Sequence, residues 1–190
     1  MTKLEVQQRV SKDGKPLDLN RFSWDEETKT FSSTEEGLVL DFSDVDGCTF
    51  NAGYSCTFNT GYYCTFNTRG SCTFKTGYYC TFNTGSGCTF KTGHGCTFNA
   101  GYSCTFNTGG SCTFNTGGSC TFNTGKQGVV VRRDIFEVIQ LVEGQQIRLN
   151  GFEIPGYSVI EPAKVETIQI GDQKYNKAEV EAALKNVRSL

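Results

Sequence analysis

Residues 56–87, CTFNTGYYCTFNTRGSCTFKTGYYCTFNTGSG, contain four consecutive copies of one octapeptide. This repeat determines the predicted fold. Aligned on cysteine, ten copies of the frame C-T-F-[NK]-[TA]-G-x-x run without insertion from Cys48 to Gln127. The glycine is missing only where Arg69 replaces it. A fixed short period is typical of a solenoid, in which each unit buries its apolar side against its neighbours.

Within each copy, the first five residues alternate with the period of two that is typical of a strand. Phenylalanine at position three must face inward, so cysteine at position one and threonine at position five are predicted to face inward with it. Position five is otherwise alanine, at residues 52 and 100, which suits an interior. Threonine at position two and asparagine at position four then face outward, as do Lys75 and Lys91. The glycine at position six is predicted to supply the unusual backbone angles of a turn.

The length of one coil follows from the chain that joins two strands. From position five to the next cysteine the chain spans up to ~13 Å, enough to cross the ~10 Å between two facing sheets. A flattened coil of two repeats, sixteen residues, is therefore predicted, and a triangular coil of three stays open. Both Tyr-Tyr corners and both lysines fall in even copies, and both alanines fall in odd copies, which favours two.

The predicted fold class is all-β: a parallel β-solenoid closed by a cap at each end. Residues 1–39 are the N-terminal cap, with two short strands in FSWDEETKTF (22–31). Residues 40–127 are the solenoid, whose degenerate first copy LDFSDVDG (40–47) is predicted to hold Phe42 in register with the repeat phenylalanines. Residues 128–190 follow as a strand, hairpins turning at Asn150-Gly151 and Gly171-Asp172, and a helix from residue 177.

The ten cysteines have three interpretations. Buried thiols that act as small apolar core residues are favoured, because free cysteine is among the most buried residue types. A disulfide framework is disfavoured, because cysteines stacked ~4.8 Å apart have parallel side chains that do not converge. Soft-metal binding is disfavoured as well, because one cysteine in every eight residues is not a zinc spacing. No metal or cofactor is predicted.

Charge and motifs exclude several classes of function. The net charge is −2, without a basic or acidic block, so neither nucleic acid nor membrane is expected as a partner. No signal peptide and no membrane-spanning run are expected either. Motifs of hydrolases, metalloproteases and nucleotide-binding proteins are lacking, and the single histidine, His94, falls at a corner without a partner acid. The protein is therefore expected not to be an enzyme.

Two sets of residues are candidates for a binding surface. The first is an aromatic and basic patch, because a coil of two repeats would stack the tyrosines on one edge and tyrosine is favoured at interfaces; it comprises Tyr62, Tyr63, Tyr78, Tyr79, Lys75, Lys91 and His94. The second is the outward threonine of each copy, which could match ordered water or only fill a strand; these residues are Thr49, Thr57, Thr65, Thr73, Thr81, Thr89, Thr97, Thr105, Thr113 and Thr121.

The lead-in WDEETKTF (24–31) and GLVLDF (37–42), the CTFNTG array and the exit VVVRRDIFEVI (129–139) together resemble a group of predicted proteins of tailed bacteriophages. The resemblance covers nearly the full length and implies a phage origin and a non-enzymatic role. The expected function is binding of a host protein, such as inhibition of a host defence (anti-CRISPR or anti-restriction), in the host cytoplasm or the virion.

Three further questions stay open at the level of sequence. The protein could instead be a structural component of the virion. It could also bind ice or ordered water through its threonine and asparagine face, which a thermal-hysteresis assay would distinguish. A homodimer is a further possibility, since exposed ladders and a cap helix both offer symmetric surfaces.

Overall fold

The computed structural model describes most of the chain, namely residues 1–161, 167–170, 172–177, 180 and 181. The chain forms two compact units, residues 1–160 and residues 161–190, and the whole repeat lies in the first.

The elements are short and almost entirely strands. The N-terminal segment contains α1 (Lys3–Gln7), β1 (Val10–Lys12), β2 (Lys15–Pro16), a 3₁₀ turn (Leu19–Arg21), β3 (Ser23–Asp25), β4 (Thr30–Ser32) and β5 (Leu38–Phe42). Each repeat adds one strand: β6 (Thr49–Ala52), β7 (Thr57–Thr60), β8 (Thr65–Thr68), β9 (Thr73–Lys75), β10 (Thr81–Asn83), β11 (Thr89–Thr92), β12 (Thr97–Asn99), β13 (Thr105–Thr108), β14 (Thr113–Thr116) and β15 (Thr121–Thr124). Then follow β16 (Val129–Arg132), β17 (Glu137–Gln140), β18 (Ile147–Leu149), β19 (Tyr157–Val159), β20 (Thr167–Ile170) and β21 (Gln173–Asn176).

Successive repeat strands alternate between two sheets, which confirms the coil of two repeats. The first sheet stacks β5, β7, β9, β11, β13 and β15 in parallel, and the second stacks β4, β6, β8, β10, β12, β14 and β16. Each repeat residue pairs with the residue sixteen positions on, as Thr57 does with Thr73. The protein is therefore a β-solenoid of about six turns.

Antiparallel strands close both ends of the solenoid. At the start, β1 and β2 extend the first sheet and β3 extends the second; at the far end, β18 and β19 extend the first sheet and β17 extends the second. The predicted strands within residues 22–31 are confirmed, because β3 and β4 pair with Trp24 opposite Phe31. The predicted hairpin at Asn150-Gly151 is confirmed as β18 and β19, joined by residues 150–156.

The second unit contains a hairpin in which β20 pairs with β21, with Ile170 opposite Gln173. The predicted turn at Gly171-Asp172 falls between these two residues, and residue 171 itself lies outside the described residues. Residues 177, 180 and 181 are helical, and the rest of the predicted terminal helix lies outside the described residues.

Phenylalanine side chains fill the centre of the solenoid in two columns, one from each sheet. Within a column the rings stack, as Phe66 does on Phe82 with centroids 4.9 Å apart. Between columns they meet edge to face, as Phe66 does with Phe74 at 5.2 Å. Both arrangements are favoured by the ring quadrupole. The inward cysteines are buried as predicted, as are most threonines at position five.

The register predicted for Phe42 is wrong. In β5, Leu40 pairs with Phe58 and Phe42 pairs with Thr60, so Leu40 occupies the phenylalanine position and Phe42 the position-five place. Leu40 and Phe42 lie on the same face of one strand, and an alternating pattern does not resolve a shift of two residues. The phenylalanine that extends a column beyond the ten repeats is instead Phe31 of β4, which pairs with Phe50 in the second sheet.

The corners of the coil correct the predicted role of glycine. The positive φ angle lies at position eight, at +56° to +61° in the serine, tyrosine and glutamine residues found there, and no position-six glycine has one. Position six instead lies against the backbone or a corner side chain of the preceding coil: a Cβ on Gly85 would be 2.8 Å from the amide nitrogen of Gly70, and one on Gly93 would overlap the Tyr78 ring. Glycine at position six therefore serves close stacking.

A buried ion pair closes the C-terminal end of the first unit. Arg132 lies at the inward position five of β16, and its side chain and that of Asp134 are fully buried. Arg132 Nη2 donates to Asp134 Oδ2 at 2.5 Å and to the Gly151 carbonyl at 2.9 Å, while Nη1 donates to the Ile154 carbonyl at 2.6 Å. The arginine thus joins the last coil to the loop of residues 150–156.

Candidate functional site

The corners that lead from the first sheet to the second form one edge of the solenoid, which we call the tyrosine edge because it carries Tyr62, Tyr63, Tyr78 and Tyr79. Tyr62 stacks on Tyr78 with centroids 5.2 Å apart, and Tyr63 stacks on Tyr79 at 5.4 Å. His94 continues the column, with its ring 5.5 Å from Tyr78. The structure therefore brings together all five aromatic residues of the first candidate set.

Glycine makes this arrangement possible. Tyr62 lies directly over Gly77 of the next coil, where a Cβ would overlap its ring, and Tyr78 lies over Gly93 in the same way. The tyrosines of position seven are consequently held flat along the edge, although they are about 44% exposed. Such side chains present a large ordered aromatic area to solvent.

Tyr63 and Tyr79 occupy the position-eight place of the corner and have a φ of +57° each. This left-handed region disfavours bulky residues and is the natural place of glycine, which occurs at the same position as Gly47 and Gly95. The rings are 64% and 56% exposed, so no core packing compensates for the strain. Strained, exposed residues of this kind cluster at functional sites.

His94 has a defined orientation. Its Nδ1 accepts a hydrogen bond from the Gly110 backbone N–H at 2.9 Å. Neutral imidazole has one acceptor and one donor nitrogen, so Nε2 carries the proton and is the donor that a partner could meet. The corner position thus offers a hydrogen-bond donor at the end of the tyrosine column.

Lys75 and Lys91 lie on the outer face of the first sheet rather than on the corners. They are paired neighbours in β9 and β11, and each precedes by three residues the aromatic residue of its corner, Tyr78 or His94. Both are exposed. They therefore add two positive charges beside the tyrosine edge.

The outward threonines do not form one array of ten. Thr57, Thr73, Thr89, Thr105 and Thr121 follow the first sheet, and Thr49, Thr65, Thr81, Thr97 and Thr113 follow the second. The first row is flanked by an asparagine column that the two lysines interrupt. Beside the second row the asparagines are continuous, and Asn67 donates to Asn51 at 2.9 Å. The asparagine pattern on the two faces is therefore different.

The ten thiols form two inner columns, one beneath each set of corners. Each is buried and free, and most approach two corner carbonyls: Cys72 Sγ is 3.5 Å from the carbonyl oxygens of both Gly53 and Gly70. The thiols therefore act as weak donors to corner carbonyls, which explains why a small polarisable residue suits this position.

Burial makes these thiols poor nucleophiles. Burial raises the pKa of Cys48 to about 11, and the hydrogen bond with Cys120, followed by burial, raises the pKa of Cys104 to about 12. Along the columns, a hydrogen bond between neighbouring thiols raises the pKa of one partner, as in Cys80, and lowers that of the other. The lowered pKa values are those of Cys64, Cys72, Cys96 and Cys120, and in each of them burial acts in the opposite direction. Because any thiolate in a column opposes ionisation of its neighbours and lies in an apolar core, we expect all ten to be protonated at neutral pH.

A thiol titration tests this arrangement. In the native, unreduced protein we expect the aromatic disulfide reagent DTNB to react at least about a thousandfold more slowly than with a model thiol, because reaction requires local opening of the coil. After unfolding in guanidinium, ten thiols are expected to react. Fewer than ten, or a fast native fraction, would contradict buried free thiols.

The fold and its surfaces define a capped two-sheet β-solenoid with an aromatic edge. No protein-family model, no curated protein and no solved structure was found to match the chain. Within the described residues, no cluster of three or more histidine, cysteine or acidic side chains could hold a metal ion. Among the same residues, no helix has the length and apolar character needed to cross a membrane.

Two features of the structure are not predicted from the sequence. The repeat marks Arg69 only as a missing glycine, and Arg133 lies in the exit segment VVVRRDIFEVI, yet both line one groove on the second sheet. A signal was present, because residues 69 and 133 are separated by 64 positions, which is four coils of sixteen residues. The pairing of Arg132 with Asp134 had no comparable signal.

Proposed function

We propose that the protein is a non-enzymatic binding protein that recognises a protein partner through the tyrosine edge. The observation that carries this proposal is the pair of stacked, exposed tyrosine columns, of which Tyr63 and Tyr79 occupy backbone positions that favour glycine. Tyrosine is enriched in the residues that dominate binding energy at protein interfaces. The rings are ordered before binding, so little conformational entropy is lost on association.

Two lysines beside the edge favour a partner surface that carries acidic groups. The resemblance to phage proteins supports the further proposal that this partner is a bacterial protein and that binding inhibits a host process such as a defence system. On this view the solenoid is a rigid support whose coil spacing sets the spacing of the aromatic rings.

The four tyrosine side chains can be removed by substitutions that use only corner sequences found elsewhere in this protein. Replacing Tyr62 and Tyr78 by glycine and Tyr63 and Tyr79 by serine turns both corners into the Gly-Gly-Ser of residues 109–111 and 117–119. We expect this variant to fold and to lose at least about a hundredfold in affinity for its partner, because several aromatic contacts are lost together. Capture from bacterial lysate identifies the partner, and calorimetry with the purified partner measures the loss.

The matched control is Tyr102→Gly, which makes the same Gly-Gly-Ser corner on the opposite edge. A partner bound equally by the parent, this control and the four-residue variant would show that the tyrosine edge is not the binding site. Absence of any specific partner would remove the proposal.

A second function, as a component of the virion, is favoured by the C-terminal end of the first unit. Large exposed apolar side chains gather in its last strands and loops: Phe136, Val138, Val142, Phe152, Ile154, Tyr157 and Val159. In the part of the chain that the structure describes, β17 and β19 are the outermost strands of their sheets. An end of this kind would suit docking onto an assembly. Binding of ordered water stays a third proposal, supported by the continuous asparagine column beside the threonines of the second sheet.

A further inference from the structure

A polar groove runs along the outer face of the second sheet, beside the edge opposite the tyrosine edge. Two adjoining depressions, with volumes of about 740 and 720 Å³, share Thr68 and Arg69 and therefore form one continuous groove. Side-chain amides form its floor, one from each coil, from Asn51, Asn67, Asn83 and Asn99. We call it the arginine groove.

The groove carries positive charge in a protein whose net charge is negative. Its lining contains Arg21, Arg69 and Arg133 and no aspartate or glutamate. Arg21 is paired with Glu35 at 2.6 Å. Within the described residues, neither Arg69 nor Arg133 has a carboxylate within ion-pair distance, so two guanidinium groups remain to be matched by a ligand.

Both free arginines are held in place by the protein. The guanidinium of Arg69 lies 5.3 Å from the centre of the Tyr54 ring, as a cation–π contact. The guanidinium of Arg133 donates to Asn99 Oδ1 at 3.1 Å and to the Ala100 carbonyl. Each retains further N–H donors, and a guanidinium that is already oriented loses little entropy when it binds an anion.

The fold does not require an arginine at residue 69. Nine of the ten copies have glycine at this position, and the corners at residues 109–111 and 117–119 show that Gly-Gly-Ser folds in its place. Arg69 and Arg133 moreover occupy the same place in the coil, four coils apart. Arg69, which the fold does not require, and a second arginine in register with it point to recognition of a ligand.

The spacing of the groove limits the ligand. Its amides recur once per coil, at ~4.8 Å, and the sites contacted by Arg69 and Arg133, Tyr54 and Ala100, are three coils apart, about 14 Å. An extended peptide repeats its side chains on one face every ~6.8 Å, and each strand of a nucleic-acid double helix carries a charge every ~3.4 Å. Extended chains of pyranose sugars repeat at nearly the interval of the coils, and acidic sugars add carboxylates among hydroxyls that suit asparagine amides.

We infer that the arginine groove binds an acidic oligosaccharide, with its carboxylates on Arg69 and Arg133 and its hydroxyls on the asparagine floor. This site is independent of the tyrosine edge, because the two lie on opposite edges of the coil. A failure of one proposal therefore leaves the other intact.

The test is a calorimetric titration of the full chain with hexagalacturonate, with uncharged maltohexaose, hexaglutamate and a thymidine hexanucleotide as comparison ligands. Hexagalacturonate is expected to bind, and Arg69→Gly or Arg133→Gln is expected to weaken it by about ten- to a hundredfold, because each removes charge-assisted hydrogen bonds. The control is Arg148→Gln, which removes one exposed arginine charge on β18 of the first sheet, away from both proposed binding surfaces. It is expected to leave affinity unchanged.

Three results would overturn the inference. One is no binding of hexagalacturonate at millimolar concentration. The second is equal or tighter binding of hexaglutamate or the hexanucleotide, which would make the groove a general anion site. The third is an equal effect of Arg148→Gln and Arg133→Gln, which would mean that only net charge matters. Far-ultraviolet circular dichroism checks that each variant is folded.

Discussion

Replacement of Phe90 by alanine is expected to lower the free energy of unfolding by about 3–5 kcal/mol. The ring is fully buried at the middle of the array. It stacks on Phe74 and Phe106, with centroids 5.0 and 4.8 Å away, and meets Phe82 and Phe98 edge to face at 5.2 and 5.1 Å. Alanine would leave a cavity bounded by four rigid rings, which the stacked backbone cannot close.

The architecture adds a second effect. A solenoid is stabilised by contacts between neighbouring coils, so a cavity at its centre weakens the coupling between the two halves. We therefore expect a lower urea midpoint and a smaller dependence of unfolding free energy on urea, as the halves begin to unfold separately. Circular dichroism would measure the overall loss of structure with urea, and the number of reactive thiols would show whether one half unfolds before the other.

The control for this variant is Phe136→Ala, since Phe136 is 86% exposed. Its change is expected to stay within about 0.5 kcal/mol. A loss of less than about 1 kcal/mol for Phe90→Ala, with an unchanged urea dependence, would show that the phenylalanine columns are not the main source of stability.

The same columns show how much of the fold follows from sequence. The sequence predicts inward phenylalanine and cysteine, outward threonine and asparagine, and the sixteen-residue coil. These predictions were possible because the same alternation of residue types recurs in ten copies. Leu40 and Phe42, in the degenerate first copy, show a register that the repeat pattern does not predict. Both are apolar and on one face, so only the length of the following corner, which differs from the other corners, decides which of them enters the phenylalanine column.

The corners were harder to predict than the strands. The glycine of position six looked like a turn residue, yet the positive φ lies two residues later, at Ser55, Tyr63 and their equivalents. Sequence alone does not show that Gly77 lies beneath the ring of Tyr62 in the preceding coil. The aromatic edge itself could be predicted, because Tyr62 and Tyr78 differ by sixteen residues. The arginine groove could not be recognised within the repeat, because Arg133 lies beyond its last copy.

The ion pair at the C-terminal end depends on contacts that have no periodic signal. Arg132 occupies an inward position where the repeat has threonine or alanine, and it is buried only because the loop of residues 150–156 folds over it. A second carboxylate is close, because Glu137 Oε2 lies 3.6 Å from Arg132 Nη1. Burial of an unpaired arginine would cost free energy. Arg132 is therefore tolerated at this inward position because the loop carbonyls and the two carboxylates compensate its charge.

Arg132→Met is expected to lower the free energy of unfolding at pH 7 by about 3–5 kcal/mol, because it leaves the buried carboxylate of Asp134 without its partner. Arg148→Met, at an exposed arginine of β18, is the control and is expected to change stability by less than about 0.5 kcal/mol. Exchanging Asp134 for leucine together with Arg132→Met should recover part of the loss, since the uncompensated charge is then removed as well. Urea unfolding of the three variants measures these differences.

The pH dependence separates a lost ion pair from a lost side-chain volume. Burial alone would raise the pKa of Asp134, but the hydrogen bonds from Arg132 and the Glu153 N–H together outweigh it and lower the pKa below the usual value. A carboxyl group with a lowered pKa contributes stability that is present above its unfolded value, ~3.9, and is lost as the pH falls through the folded value. In Arg132→Met the partner is gone, and protonation of Asp134 relieves the buried charge. The stability difference between parent and variant should therefore narrow as the pH falls from 7, first through the raised folded pKa of the unpartnered Asp134 in the variant and then, below about pH 4, through its lowered folded pKa in the parent. A difference that stayed constant from pH 7 to pH 3 would mean that packing, not charge, holds this end closed.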